Sequence, residues 1–81
     1  MIKTAEIKKG TRILMNNGWK GTMLDSKKGV TRFAEIEGYF TEMGSIYAHD
    51  IRAALINGQW VEVEYTQKEI DCKKMNDAIF G

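Results

Sequence analysis

The sequence predicts a small, mainly all-β domain, in which a barrel of five antiparallel strands is followed by a short C-terminal helix. Glycine turns divide the first two thirds of the chain into short runs where apolar and polar residues alternate, as half-buried strands do. After residue 65 the apolar spacing changes to three and four residues, which indicates a helix. We assign residues 9–65 to the barrel and residues 66–80 to the helix of one domain, 1–81.

Five runs have the strand period of two, and their turns have hairpin chemistry. The predicted strands are Thr11–Asn16, Trp19–Asp25, Val30–Glu37, Ile51–Ile56 and Trp60–Tyr65. Neighbouring runs are separated by Asn17-Gly18, Lys28-Gly29 and Asn57-Gly58, and Asn-Gly is a strong hairpin signal. Closure into a barrel would remove exposed strand edges, which matters because the chain contains no proline to protect them.

A longer segment, Gly38–Asp50, is predicted to be a loop. It is too short to hold a crossover helix and its connections, so we expect the sheet to be antiparallel. Because variable contacts are usually carried by loops on a rigid scaffold, this loop is the expected location of function. The alternative is that its aromatic side chains fold back and close the end of the barrel.

The end of the chain carries a helix-start signal. Thr66 and Glu69 have the spacing of a capping box, in which each side chain accepts a hydrogen bond from the other residue's backbone amide. A helix is then predicted over Gln67–Ile79. Its apolar residues Cys72, Met75 and Ile79 form a narrow stripe. The stripe predicts docking on the sheet, with a homodimer through the helix as the alternative.

Composition excludes several kinds of site. One cysteine and one histidine cannot form an internal disulfide or a closed zinc site, and no P-loop or Ser-His-acid arrangement is present. Because His49 and Asp50 are adjacent, a strand would point them to opposite faces, so no dyad is expected. We therefore expect no enzyme activity, no cofactor and no metal. The lone cysteine, together with the absence of an apolar leader or membrane segment, predicts a cytoplasmic protein without membrane contact.

Charge is distributed unevenly along the chain, which suggests one candidate surface. Residues 1–33 hold eight basic and two acidic residues, whereas residues 34–81 hold four basic and nine acidic ones. The halves either neutralise each other across the barrel or leave a face that binds a polyanion. The candidate nucleic-acid-binding residues are Lys8, Lys9, Arg12, Lys20, Lys27, Lys28 and Arg32. Phe33 or Tyr39 could stack a base beside them.

Aromatic and acidic residues suggest a second candidate surface. Aromatic anchors next to charges are common in protein interfaces. The candidate protein-binding residues are Tyr39, Tyr47, Trp60, Glu62 and Glu64. The alternative interpretation is that these glutamates only solvate the outer face of the barrel.

Two resemblances add to this interpretation. The segment Lys9–Met23, with Gly10, Gly18 and Gly21 bracketing two strands, resembles the start of a KOW-type barrel of the Src-homology-3-like (SH3-like) class. Residues 46–51 resemble the short segment that leads into a late strand of such barrels. The resemblance implies a five-stranded antiparallel SH3-like barrel, and nucleic-acid binding of the KOW type as an alternative function.

The Asn-Gly-Trp turn and the segments 41–45 and 47–51 are also similar to small uncharacterised proteins of tailed bacteriophages. That likeness implies an accessory role in the host cytoplasm. Together with the second surface, it predicts a non-catalytic binding module for a host or phage protein.

Overall fold

The protein is mainly β, with one C-terminal helix. The computed structural model describes residues 1–25 and 29–80. Two 3-10 turns cover Thr4–Glu6 and Ala48–Asp50, and helix α1 covers Gln67–Phe80. The strands are β1 (Ile2–Lys3), β2 (Arg12–Met15), β3 (Lys20–Asp25), β4 (Thr31–Glu37), β5 (Thr41–Tyr47), β6 (Ile51–Ile56) and β7 (Gln59–Glu64).

The strands form one sheet in the order β1-β7-β6-β2-β3-β4-β5. The five predicted strands are confirmed as β2, β3, β4, β6 and β7, with ends that shift by no more than one residue. The predicted strand count was wrong, because the described residues form seven strands in an open sheet that ends at β1 and β5. The expected antiparallel pairing holds throughout except between β1 and β7, which are parallel.

The predicted loop 38–50 is the main correction to the fold. Its residues Thr41–Tyr47 form β5, which pairs with β4 over its full length, from Thr31 opposite Tyr47 to Glu37 opposite Thr41. The strand escaped prediction because it is exposed along most of its length. Only Gly44 and Ile46 are half-buried, both on one face, so too little of β5 is buried to impose an alternation of apolar and polar residues along it.

The core lies between the inward faces of the strands, as the alternation predicted for β2 and β7. Its fully buried members include Ile13 and Met23, with Val63 contributed by β7. The turn Asn57-Gly58 closes the β6–β7 hairpin with φ of 51° and 81°. Positive φ at both central residues is the conformation that matches the twist of a two-residue hairpin, so the predicted turn is confirmed.

The capping box at the start of α1 is confirmed in both directions. The Glu69 amide donates to Thr66 Oγ1 at 3.2 Å, and the Thr66 amide donates to Glu69 Oε1 at 2.8 Å. The same carboxylate uses its second oxygen inside the molecule, where Glu69 Oε2 accepts a hydrogen bond from Thr4 Oγ1 at 2.7 Å. One side chain therefore starts the helix and anchors it.

Arg32 completes this buried contact. Its Nη2 lies 3.6 Å from Glu69 Oε2 and donates to Thr4 Oγ1 at 3.1 Å, and both charged side chains are almost fully buried. Its Nη1 also donates to the carbonyl oxygens of Gly29 and Thr31, at 2.7 and 2.8 Å. We call Thr4, Arg32 and Glu69 the buried polar triad. It joins the N-terminal 3-10 turn, β4 and α1.

The predicted apolar stripe of α1 is only partly used. Cys72 is half-buried, but Met75 and Ile79 are 64% and 65% exposed. The second inward contact is polar, because Asn76 Nδ2 lies 3.3 Å from Nε2 of the buried His49. Helix α1 is therefore held by polar contacts of Glu69 and Asn76, whereas Met75 and Ile79 of the predicted stripe remain exposed. No helix in the described part of the chain has the length and apolar character to cross a bilayer.

The buried polar triad makes a prediction about stability. Glu69→Gln keeps the size of the side chain and an oxygen for the Thr66 amide, but leaves the Arg32 guanidinium without its counter-charge in the interior. Removing one partner of a buried pair costs about 3 kcal/mol or more. For a domain of this size we expect Tm to fall by roughly 12–24 °C in a thermal melt.

The matched control is Glu64→Gln, an exposed glutamate on β7. We expect the Tm of that variant to equal the Tm of the wild type. Equal stability of the two variants would mean that the triad does not hold the helix.

Candidate functional site

Large apolar side chains are exposed where β4 turns into β5. Tyr39 is 92% exposed and Phe40 is 78% exposed, and Trp19, from the turn between β2 and β3, lies beside them. Met43 on β5 is also exposed. We call Trp19, Tyr39 and Phe40 the aromatic cluster. Two turns supply its members, so the cluster exists only in the folded chain.

The Asn-Gly turn fixes the backbone of Trp19. The Trp19 amide donates to Asn17 Oδ1 at 3.0 Å, and the Trp19 carbonyl accepts from the Met15 amide at 2.7 Å. An asparagine side chain that bonds to the backbone two residues later is a common way to set a turn. Trp19 is therefore held at both of its backbone polar groups.

The ring of Trp19 lies directly on Gly38. A Cβ atom at residue 38 would come within 2.4–2.6 Å of three ring carbons, far inside van der Waals contact. Tyr39 meets the same ring edge to face, with centroids 5.8 Å apart and planes at 82°. Edge-to-face geometry is a favoured arrangement of aromatic pairs. Only glycine at residue 38 allows this close stacking.

Two shallow cavities lie next to the aromatic cluster. The first, of about 250 Å³, is lined by the three aromatic side chains with Ile36 and Glu42. The second, of about 160 Å³, shares Ile36 and Glu42 and continues along β5 past Gly44 and Ile46. Because the two cavities share residues, they form one groove along the open side of the sheet. We call it the β5 groove.

A charge pair lies close to this end of the sheet. Arg12 donates to the Glu37 carboxylate from Nη1 and from Nη2, the latter to Oε1 at 3.2 Å, and its Nη1 also donates to Thr22 Oγ1 at 2.9 Å. The hydrogen bond from Arg12 lowers the pKa of Glu37 and in turn raises the pKa of Arg12. The positive charge of Lys20, which lies opposite Glu37 in the β3–β4 register, also lowers the pKa of Glu37.

The candidate nucleic-acid residues that the structure describes are not gathered as free cations on one surface. Arg32 is buried in the polar triad, so it is corrected from a phosphate contact to a structural residue. Arg12 is neutralised by Glu37. Lys27 and Lys28 lie outside the described residues. The exposed Lys8 and Lys9 precede Gly10, whose amide donates to Met23 near one end of the β2–β3 hairpin, whereas Lys20 begins β3 at the other end.

The candidate protein-binding residues also separate. Trp60, Glu62 and Glu64 alternate along β7 with their side chains exposed. Tyr39 and Tyr47 lie in the β4–β5 hairpin, and in the hydrogen-bonded order four strands stand between β7 and β5. Prediction from sequence missed Trp19 and Phe40 as partners of Tyr39. The signal that could have found them is that all three aromatics follow a glycine turn within two residues.

His49 is placed differently from its prediction. Residues 48–50 form a 3-10 turn instead of a strand, so the expected opposite orientation was wrong, and His49 Nε2 lies 3.7 Å from Asp50 Oδ1. The His49 ring is buried and stacks on the Tyr47 ring, with the two ring centroids 5.0 Å apart, and it lies near Asn76 of α1. These contacts brace the turn against the helix. Within residues 1–25 and 29–80, no three potential metal ligands come together.

The Arg12–Glu37 pair predicts an acid-shifted titration. A depressed pKa means that the pair's contribution to stability is present at neutral pH and is lost as the pH falls through the pKa of Glu37 in the folded state. We expect Arg12→Gln to raise the pKa of Glu37 toward the ordinary value of a glutamate side chain. The measurement is a carbon-detected NMR titration of the Glu37 carboxyl.

Lys20→Gln is the control for this titration. Because Lys20 acts on Glu37 through charge alone, we expect a smaller upward shift than in Arg12→Gln. A wild-type midpoint that neither variant moves would contradict the assignment.

The contact of Trp19 with Gly38 predicts the effect of Gly38→Ala. The added methyl group must displace the ring, so acrylamide should quench Trp19 fluorescence more strongly, measured in a Trp60→Phe background. Because the ring lies at the surface, we expect little change in the free energy of unfolding. The matched control is Gly44→Ala, since nothing lies within 4 Å of a Cβ there. Equal quenching in both variants would refute the contact.

Comparison with known proteins gives no indication of function. No protein-family model, curated protein or solved structure matches this chain. A functional conclusion therefore depends on the aromatic cluster, the β5 groove and the charges around them.

Proposed function

We propose that this protein is a phage-type accessory protein that acts as a non-catalytic binding module, and that it binds a host or phage protein through the aromatic cluster. The observation that carries the proposal is the pairing of rigidity with exposure. Trp19 is fixed at its backbone and stacked on Gly38, while Tyr39 and Phe40 beside it are largely exposed.

The physical reason is the energetics of protein interfaces. Tryptophan and tyrosine are enriched among the residues that dominate binding, because each buries a large area with few rotatable bonds. A side chain that is already held in place loses less conformational freedom when the partner arrives. The surrounding charges of Arg12, Glu37 and Glu42 provide the polar rim that such an aromatic centre usually has.

The connectivity supports the SH3-like part of the proposal. Strands β2 to β5 follow one another as neighbours, the 3-10 turn Ala48–Asp50 comes next, and β6 returns to pair with β2. This order fits the resemblance of the segment Lys9–Met23 to the start of an SH3-like barrel, and of residues 46–51 to the segment before a late strand. The phage-type role rests on the Asn-Gly-Trp turn, which places Trp19 in the cluster.

Protein binding is preferred over nucleic-acid binding for an electrostatic reason. A phosphate-binding face needs several free cations close together. Of the described candidates, Arg32 is buried and Arg12 is paired with Glu37. Lys8 and Lys9 are separated from Lys20 by the β2–β3 hairpin.

The proposal predicts a partner that depends on the aromatic cluster. The immobilised full chain is incubated with nuclease-treated bacterial lysate, and the captured proteins are compared between wild type and a Tyr39→Ala, Phe40→Ala double variant. We expect a protein captured by the wild type to be lost from the double variant. Both side chains are exposed, so the fold should survive, which circular dichroism checks.

Trp60→Ala is the matched control, since Trp60 is an exposed aromatic on β7, away from the cluster in the strand order. Retention of the partner by this variant supports the aromatic cluster, whereas loss only in Trp60→Ala would move the site to β7. Capture of no protein above background would contradict the proposed function. Capture from an untreated lysate that is absent from the nuclease-treated one would favour the nucleic-acid alternative.

A further inference from the structure

Strand β5 is an open edge of the sheet. It is hydrogen-bonded to β4 on one side and has no strand on its other side in the described part of the chain. The flanking bonds, from the Ala48 amide to the Val30 carbonyl and from the Gly38 amide to the Phe40 carbonyl, set the alternation of the ladder. Glu42 and Gly44 therefore direct their backbone groups toward β4, whereas Thr41 and Met43 direct theirs outward.

This edge lacks the features that usually protect one. The chain contains no proline, β5 carries no lysine, and the β4–β5 register runs from end to end without a bulge. Proteins commonly use such features to stop a second strand from pairing with an exposed edge. A seven-residue edge with a regular register is a geometric match for an added strand, since main-chain hydrogen bonds supply affinity along its length.

The β5 groove indicates which side chains the added strand should carry. Glu42 lies where its two cavities meet, is exposed, and makes no ion pair with another described residue. The space beside Gly44 is empty, since no atom lies within 4 Å of a Cβ position there, and Ile46 is half-buried. A strand added to β5 would place a cation opposite Glu42 and small or apolar side chains over Gly44 and Ile46.

A second copy of this chain fits the edge less well. If two copies met edge to edge through β5, Glu42 would face a residue of the partner's strand, and Thr41–Tyr47 contains no lysine or arginine. The carboxylate would therefore remain without a counter-charge. The charge of the groove favours a different chain.

We propose that β5 accepts an extended segment of the partner protein as an eighth strand, and that this segment alternates apolar residues with a lysine or arginine that pairs with Glu42. The inference rests on the proposed function, because the aromatic cluster lies at one end of the same groove and would hold the end of that segment. It specifies the partner's chemistry, which the cluster alone does not.

The test uses random linear peptides of about ten residues, a length that spans a strand of this size. They are displayed and selected on the immobilised full chain. The best peptide is then synthesised in three forms: unmodified, and with backbone N-methyl groups on either of its two sets of alternate residues. Only one set of amides faces β5 in a paired strand. We expect one methylated form to bind about a hundredfold more weakly and the other to bind like the unmodified peptide.

The role of Glu42 is tested on the same peptide. We expect enrichment of peptides with an alternating pattern and a basic residue, and Glu42→Lys should weaken the unmodified peptide by about tenfold. Glu62→Lys, the same change on β7, is the control and should leave the affinity unchanged. Because both side chains are exposed, neither variant should unfold the protein.

Each other outcome overturns a stated part of the inference. No enrichment, or equal effects of both methylated forms, would refute strand pairing. An equal response of Glu42→Lys and Glu62→Lys would refute the cationic partner. A concentration-dependent dimer in light scattering that Met43→Pro abolishes, by removing an outward-facing amide of β5, would make a second copy the occupant. The proposed function fails separately, when the lysate yields no cluster-dependent partner even though selected peptides bind β5.

Discussion

The buried carboxylate of Glu69 is the contact on which the arrangement of the whole chain depends. One of its oxygens completes the capping box that starts α1, and the other accepts from Thr4 and faces Arg32. A helix of this length is marginal in water on its own. Met75 and Ile79 of its predicted apolar stripe remain exposed and do not hold it. The helix is therefore positioned by a small number of polar contacts of defined geometry.

A small number of contacts also positions the aromatic cluster at the surface. Trp19 is placed by one asparagine side chain and by the absence of a side chain at Gly38, so the aromatic cluster is rigid at one member and exposed at the others. Strand β5 then extends from the cluster as an open edge. The proposed recognition of another chain depends on these two features, the rigid turns and the open edge at one end of a small sheet.

The sequence predicts those elements that depend on interactions between residues close together in the chain. Period-two alternation gave β2, β3, β4, β6 and β7, and the spacing of Thr66 and Glu69 gave the helix start. It could not predict β5, because burial of only Gly44 and Ile46 leaves no clear alternation in the sequence, and it could not predict the burial of Arg32. That burial depends on Glu69, 37 positions further along the chain. The aromatic cluster escaped for the same reason, since Trp19 and Tyr39 meet only when two turns come together.

The stacking of Trp19 on Gly38 links two positions that are 19 residues apart in the chain. Any replacement of Gly38 adds at least one carbon in the space that the indole ring occupies, and any smaller residue at 19 leaves that glycine without a covering ring. A substitution at either residue 19 or residue 38 alone would therefore disrupt the stacking. Among chains descended from a common ancestor with this turn, tryptophan at 19 and glycine at 38 should be kept or exchanged as a pair, which would mark the descendants that retain the same surface.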